Sequence, residues 1–175
     1  DPLFRSAALN WGRRVIGVVL TGQLDDGAAG LQAIKECGGI TVVQNPDTAA
    51  QPAMPRAAQA AAQPHACVDM EGMGATLAEL AGGEQPAAPA HKPPRRLWHE
   101  VRINEGVNVM SHLQEIGSPA GLTCPDCGGA LFEIDESNPP RYRCHIGHAF
   151  SAQSLSSQHG EVTEQVLRSG VRALQ

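Results

Sequence analysis

The chain has 175 residues, a formal net charge of −5, 18 % charged and only 3 % aromatic residues. That length holds one medium domain or two small ones, and nineteen glycines with thirteen prolines point to linker in part of it. No apolar run approaches the roughly 20 residues needed to span a bilayer, which excludes insertion by a transmembrane helix.

The chain opens DPLFRS, without a methionine and without the basic and then apolar start of a secretory leader. It therefore reads as a piece or product of a longer protein. Five cysteines are an odd number, which argues against a disulfide framework. Their simplest setting is the reducing cytoplasm.

In chain order, residues 2 to 11 predict a short helix, with Asp1 and Pro2 suited to its start and Gly12 to its end. VIGVVL (15–20) is an uninterrupted apolar run, as expected of a strand covered on both faces. GAAGLQAIKECGG (27–39) follows as a helix with Leu31 and Ile34 on one face and Gly38-Gly39 as the stop. ITVVQ (40–44) is a second buried strand, so the three elements form a βαβ unit. RAAQAAAQ (56–63) and MGATLAELAG (73–82) predict two further helices.

Residues 85–97, QPAAPAHKPPRRL, hold four prolines and no apolar periodicity, and read as a Pro-rich linker with Lys92, Arg95 and Arg96 as its solvated charges. A third part, 98–158, centres on CPDCGGALFEIDESNPPRYRCHIGHAFS. Its spacing is C-x2-C, sixteen residues, then C-x3-H, from Cys124, Cys127, Cys144 and His148. Three thiols and an imidazole supply the four tetrahedral ligands of a closed, structural Zn2+ site. His145, adjacent to Cys144, is poorly placed to share its partner's metal, so His148 is the expected fourth ligand. ALFEID and RYRC predict a hairpin between the ligand pairs, and the whole is a zinc-ribbon-like β module whose folding leans on the metal. Seven acids against three arginines between 98 and 160 argue against a nucleic-acid partner and leave the module structural or protein-facing. Residues 159–175 predict an amphipathic helix, with Val162, Val166, Leu167, Val171 and Leu174 at helical spacing.

The turn LTGQLDDG (20–27) ends the first strand, where open α/β sheets place ligands and catalytic groups. By residue type alone, Asp25 and Asp26 read first as N-caps of the following helix. Cys37 and Cys67 read as small buried residues, and Trp11 and Trp98 as packing residues. Met54-Pro55-Arg56 reads as a loop-to-helix entry that could also wall a site.

FRSAA, GRRVIGVVLTG with DGAAGL, GGITVVQNP and PAMPRAA, in this order and at these distances, resemble the second half of the chemotaxis protein-glutamate methylesterase family, the CheB type, over residues 1 to about 84. CPDCGG and RCHIGHAFS are similar to a zinc-ribbon extension carried by some of its members. The resemblance implies an α/β fold, the C-terminal portion of a doubly wound, mostly parallel sheet. It implies a hydrolase with a Ser-His-Asp triad that cleaves glutamate methyl esters on methyl-accepting chemoreceptors, and in some members deamidates receptor glutamines, within phosphorelay signalling. The triad aspartate of the family's L-T-G-M-G-x-D-G turn falls on Asp26, which would orient the histidine and stabilise its imidazolium; Asp25 is then a solvated turn residue. Gln23 and Leu24 depart from the usual Met and Gly.

The family's serine and histidine lie upstream of this turn. Ser6 sits in a helix without a glycine-flanked elbow, and His65 follows Pro64 in a loop. The expectation is therefore an Asp-bearing portion that is inactive alone and, with one face and edge of its sheet uncovered, poorly soluble. The alternative is a non-catalytic signalling adaptor whose zinc module binds a protein partner.

Overall fold

The computed structural model describes residues 1–83, 92–137 and 139–174. Most of the expected linker, residues 85–91, lies outside them. The chain divides into two compact units, Asp1–Val101 and Arg102–Gln175.

In the first unit, helix α1 (Pro2–Trp11) carries proline in its first turn, where no donor is lost, and stops at Gly12 with φ 51°. Strand β1 (Ile16–Val19), helix α2 (Ala28–Glu36), strand β2 (Ile40–Gln44), helix α3 (Ala53–Ala62), strand β3 (Ala66–Val68) and helix α4 (Met70–Gly82) follow. The three strands are parallel in the order β1-β2-β3, with Ile16 level with Ile40 and Val42 with Ala66. β2 is the central strand and its residues 41–44 are all buried, the polar Thr41 and Gln44 together with Val42 and Val43. Val19, Ala28, Leu31, Val43, Ala58 and Ala62 form one core cluster, and Ala8, Ala33, Ile34, Cys37 and Leu97 another.

Gly17 is what lets α2 close on β1. A Cβ there would stand 2.5 Å from the Ile34 Cδ1 and 2.8 Å from the Leu31 Cδ1.

Residues 95–97, expected in a linker, are helical: α5 spans Arg95–Asn104. Leu97 and Val101 are buried one turn apart, and that spacing was hidden behind the preceding prolines. In the first unit Arg96 pairs with Glu36 at 2.5 Å, and the buried Arg5 and Glu100 pair at 3.3 Å. Breaking such a buried pair by removing one partner costs on the order of 3–5 kcal/mol.

Two packing expectations fail. Cys67 is exposed, because β3 is a three-residue edge strand whose middle side chain faces solvent. Trp11 and Trp98 are also largely exposed; the Trp98 ring meets His99 edge-on, centroids 5.0 Å apart.

The second unit holds helix α6 (Val109–Ile116), strands β4 (Gly117–Thr123), β5 (Ala130–Ile134), β6 (Arg141–Cys144) and β7 (Ala149–Ser151), and helix α7 (Ala152–Ala173). The strands form one antiparallel sheet in chain order. β5 and β6 are the expected hairpin, with Phe132 opposite Arg143. β4 contains Pro119 and two glycines, tolerable because it lies at the sheet edge. Ile103, Leu113, Ile116, Phe132 and Ile134 pack in one cluster; Cys124, Leu131, Cys144, Phe150 and Leu155 pack in the other.

The last helix starts at Ala152, not 159. Ser151 and Ser154 bond each other's backbone amides in a capping box that fixes the start.

Candidate functional site

Two places gather chemistry-bearing side chains, one in each unit. The first is the turn after β1, at the carboxyl ends of the parallel strands. Its backbone is fastened on both sides. The Thr21 amide donates to the buried Gln44 Oε1 at 2.8 Å, the Gln51 amide donates to Thr21 Oγ1 at 2.8 Å, and the Met54 amide donates to the Gly22 carbonyl at 3.0 Å. A Cβ at Gly22 would lie 2.5 Å from the Met54 sulfur, so a side chain there would have to displace the Met54 thioether. Met54, at the entry to α3, thus lies against the turn.

Past Gly22 the turn is strained. Leu24 has φ 60°, the left-handed region that a residue with a side chain enters at a cost of roughly 1–2 kcal/mol. Gly27 has φ 86° and is the N-cap of α2, so neither aspartate caps that helix.

Asp26 is the more exposed of the two acids, its side chain 76 % accessible, whereas Asp25 is half-buried. The Asp25 carbonyl accepts the Ala28 amide at 3.2 Å. This reverses the expectation that Asp25 is the solvated member.

Asp26 Oδ1 accepts from the Gly27 amide and from the Asp1 amino group, each at 2.9 Å. The largest lowering of the carboxyl from its ordinary 3.8 comes from that amino group, which is a peptide amide wherever the chain continues upstream of Asp1. Partial burial opposes that shift, while the amino group's charge, the Gly27 amide and the Arg5 charge add to it. The side chain is therefore an accessible, ionised acceptor.

A neighbouring polar cluster went unseen in the sequence. Asp69 at the end of β3 accepts from the Thr48 hydroxyl at 2.8 Å and the Asn45 amide at 2.9 Å, which together hold its carboxyl below the ordinary value. An N-P-D-T turn following a buried strand was the available signal.

The other residues of a Ser-His-Asp set are not brought to Asp26. His65 Nδ1 stands 2.9 Å from Thr41 Oγ1. Thr41 is level with Gly17 near the start of β1, so His65 sits at the amino ends of the strands while Asp26 lies past their carboxyl ends. The Ser6 hydroxyl donates to the Leu3 carbonyl at 2.9 Å within its own helix.

The second place is in the antiparallel unit. Cys124, Cys127, Cys144 and His148 are brought together so that their ligand atoms all lie within 4.8 Å of one another. Cys127 and Cys144 sulfurs are 3.8 Å apart, and His148 Nδ1 is 3.5 Å from the Cys124 sulfur and 3.4 Å from that of Cys144. A tetrahedral ion bonded to sulfur at about 2.3 Å and nitrogen at about 2.05 Å has edges of about 3.8 Å and 3.6 Å. The donor set and its spacing fit such an ion.

Two tight turns build the site. In the first, the Gly128 amide donates to the Cys124 carbonyl and the Cys124 amide to the Gly129 carbonyl, both at 2.8 Å, with Gly128 at φ 71°. In the second, Gly147 at φ 110° lets the His148 amide reach the Cys144 sulfur at 3.3 Å.

Burial raises the Cys124 thiol to about 11, whereas the Gly129 amide, aided by His148 and the neighbouring thiols, lowers exposed Cys127 to about 7. His145 is turned elsewhere: its ring lies over Gly129, where a Cβ would come within 2.1 Å of it. Arg143, buried beneath the second turn, donates to Asn104 Oδ1 at 2.8 Å and to the Gly147 carbonyl at 3.3 Å. An arginine in a strand gives no sequence sign of that role.

A parallel α/β unit whose first strand ends in an accessible, ionised aspartate, beside a small antiparallel unit with a Cys3His cluster, describes the class of protein. The particular likeness lies in the first unit, where residues 1–77 match the model of the CheB methylesterase family. The "protein-glutamate methylesterase/protein-glutamine glutaminase 5" of Myxococcus xanthus is 44 % identical over 77 residues, covering 44 % of this chain and 22 % of that protein. Protein 2 of the same description from Anaeromyxobacter dehalogenans is 54 % identical over 57 residues, 33 % of this chain and 17 % of its own length. Protein 1 from Geobacter metallireducens is 34 % identical over 111 residues, 62 % of this chain and 25 % of its length. The chain thus spans a quarter or less of these curated relatives.

Among the described residues no helix is long and apolar enough to cross a membrane.

Proposed function

We propose that this chain carries the aspartate-bearing portion of a Ser-His-Asp esterase that hydrolyses glutamate methyl esters on chemoreceptors. The observation that carries this reading is the turn LTGQLDDG. It falls within the 77 residues matched to CheB methylesterases and presents Asp26 accessible and ionised past the carboxyl end of β1. In this role Asp26 accepts the Nδ1–H of the catalytic histidine, fixes its tautomer and stabilises the imidazolium formed as the serine attacks the ester. In this reading the serine and histidine come from chain outside these residues, because Ser6 and His65, the only serine and histidine in the matched residues 1–77, are committed to Leu3 and Thr41. The chain by itself is then inactive. The relatives' names extend the proposal to a second reaction at the same site, deamidation of receptor glutamine, in which the same attack releases ammonia instead of methanol.

The Cys3His cluster holds zinc in a structural role. Four protein ligands close the coordination sphere, leaving no position for water or substrate. Bound there, the ion supplies folding free energy to a small module.

The test is methanol release from a methylated receptor fragment by the protein extended upstream through its serine and histidine. Asp26→Asn in that protein should lower turnover on the order of 10⁴-fold. Full turnover in the variant would remove Asp26 from the mechanism. No release from the parent, with receptor binding intact, would instead favour the adaptor.

A further inference from the structure

Asp1 caps a helix other than its own. It stands at the N-cap of α1, yet its carboxylate accepts no bond from the first-turn amides there. Asp1 Oδ1 instead accepts the Gly30 amide, in the first turn of α2, at 2.7 Å. That helix needs an acceptor from elsewhere, because its own N-cap is Gly27, which has no side chain to offer. Gly30 makes the crossing possible: a Cβ there would stand 2.6 Å from the Phe4 Cβ and 3.0 Å from Asp1 Oδ1. The N-terminus of α2 is also where the helix dipole favours a negative charge.

This carboxylate is held from behind. Arg5, one turn along α1, donates to Asp1 Oδ2 at 3.3 Å, and Arg5 Nε stands 3.3 Å from Glu100 Oε2 on α5. The side chains of Arg5 and Glu100 are 3 % and 2 % exposed, whereas that of Asp1 is 22 % exposed. A buried guanidinium stays in place only where its charge is paired. Glu100 therefore fixes Arg5, and Arg5 fixes the rotamer of the more exposed aspartate. α5 is seated by other contacts as well, since Leu97 packs with Ala8, Ala33, Ile34 and Cys37, and Arg96 pairs with Glu36. It lies beyond the residues 1–77 matched to the esterase family, so Glu100 is not among the residues that carry the likeness.

At the far end of these contacts is Asp26. It directly precedes Gly27, and its Oδ1 takes two donors at 2.9 Å, the Gly27 amide and the backbone nitrogen of Asp1. A peptide N–H at that position can make the same contact. Asp1 thus meets Asp26 through its main chain and the first turn of α2 through its side chain. Any displacement of Asp1 moves a donor of the Asp26 carboxyl together with the helix start beside it.

We propose that Glu100, Arg5 and Asp1 are positioning residues for Asp26, with Glu100 anchoring Arg5, Arg5 orienting the Asp1 carboxylate, and Asp1 holding both the start of α2 and the Asp26 carboxyl in the orientation that receives the histidine. The catalytic consequence rests on the esterase role given to Asp26 above.

The experiment uses the protein extended upstream through its serine and histidine. It measures kcat and KM for methanol release from a methylated receptor fragment, beside amide hydrogen exchange at Gly27 and Gly30. Asp1→Ala removes the carboxylate and leaves the buried pair intact. Arg5→Met with Glu100→Leu replaces that pair by apolar side chains, an exchange that is often neutral for stability, and leaves the Asp1 carboxylate unheld. Each is expected to lower kcat roughly ten- to hundredfold at unchanged KM, the size of effect that a displacement of about 1 Å produces. Exchange at Gly27 and Gly30 should speed up in both, while tryptophan fluorescence shows both folded. Asp1→Asn keeps an oxygen for the Gly30 amide and should retain more activity than Asp1→Ala. Unchanged kcat in either folded variant overturns the proposal, as does exchange at Gly30 that ignores Asp1→Ala. A raised KM at unchanged kcat overturns it too, because that assigns the residues to substrate binding. If the unaltered protein releases no methanol, the esterase reading fails by itself; exchange at Gly27 and Gly30 then still decides whether these three residues hold the turn that carries Asp26.

Discussion

The residue under the greatest local tension in the turn after β1 is Leu24, two positions before Asp26. It holds φ 60° with its side chain half exposed, so little burial compensates the conformation. A glycine would enter that region freely, and its greater freedom in the unfolded chain would cancel roughly 0.5–1 kcal/mol of the 1–2 kcal/mol relieved. Leu24→Gly is therefore expected to stabilise the first unit by up to about 1 kcal/mol. Chemical denaturation followed by tryptophan fluorescence checks this, because Trp11 and Trp98 both lie in that unit; a loss of stability would show that the Leu24 side chain contributes more than its backbone costs. At this scale the sequence was readable where spacing is rigid and unreadable where burial is decided by distant chain. C-x2-C and C-x3-H singled out the four residues the fold gathers. The relative exposure of Asp25 and Asp26, and the outward setting of Cys67, depend on how the turn and an edge strand lie against the rest of the fold, which no local pattern encodes.

Elements followed the same division. β1 and α2 were legible because a buried parallel strand needs an unbroken apolar run and the helix after it shows its buried residues at three- and four-residue spacing, and β2 because its first four residues, ITVV, are all β-branched. α5, α6 and β4 were not. α5 follows directly on prolines, α6 is eight residues long, and β4 carries Gly117, Pro119 and Gly121, residues that propensity assigns to turns. Tertiary pairing overrides that preference: Gly117 lies against the Glu133 carbonyl, which a Cβ would approach to 2.4 Å. Gly17 plays the corresponding part between elements of the first unit. Its missing side chain is the space into which Leu31 and Ile34, both fully buried, project from α2. Gly17→Ala forces that pair outward, and overpacking of this kind costs about 1–3 kcal/mol. The expected outcome is a drop of that size in the unfolding free energy of the first unit in water, read as a lower denaturant midpoint; an unchanged midpoint would mean that α2 shifts without cost.

At the scale of the whole chain, the two units are built on different physics. The first buries two clusters against a central strand and a pair of fully enclosed charges, Arg5 and Glu100. The second has two clusters of five residues, and two of the ten are cysteines of the metal cluster. A core that small leaves little margin after chain entropy, whereas structural zinc contributes apparent binding energies of about 10–16 kcal/mol. That exceeds most of the range of about 5–15 kcal/mol over which whole domains are stable, so zinc held by the Cys3His cluster as proposed would, more than the apolar clusters, decide whether the second unit is folded. Treating the protein with a strong zinc chelator should then collapse protection of the β5 and β6 amides while tryptophan fluorescence, which reports only the first unit, stays in place. One equivalent of zinc should restore the protection, and Cys144→Ser should mimic its loss. If β5 and β6 stay protected without metal, the clusters around Leu131 and Phe132 suffice by themselves, and the thiols would then hold their 3.4–3.8 Å spacings through packing alone.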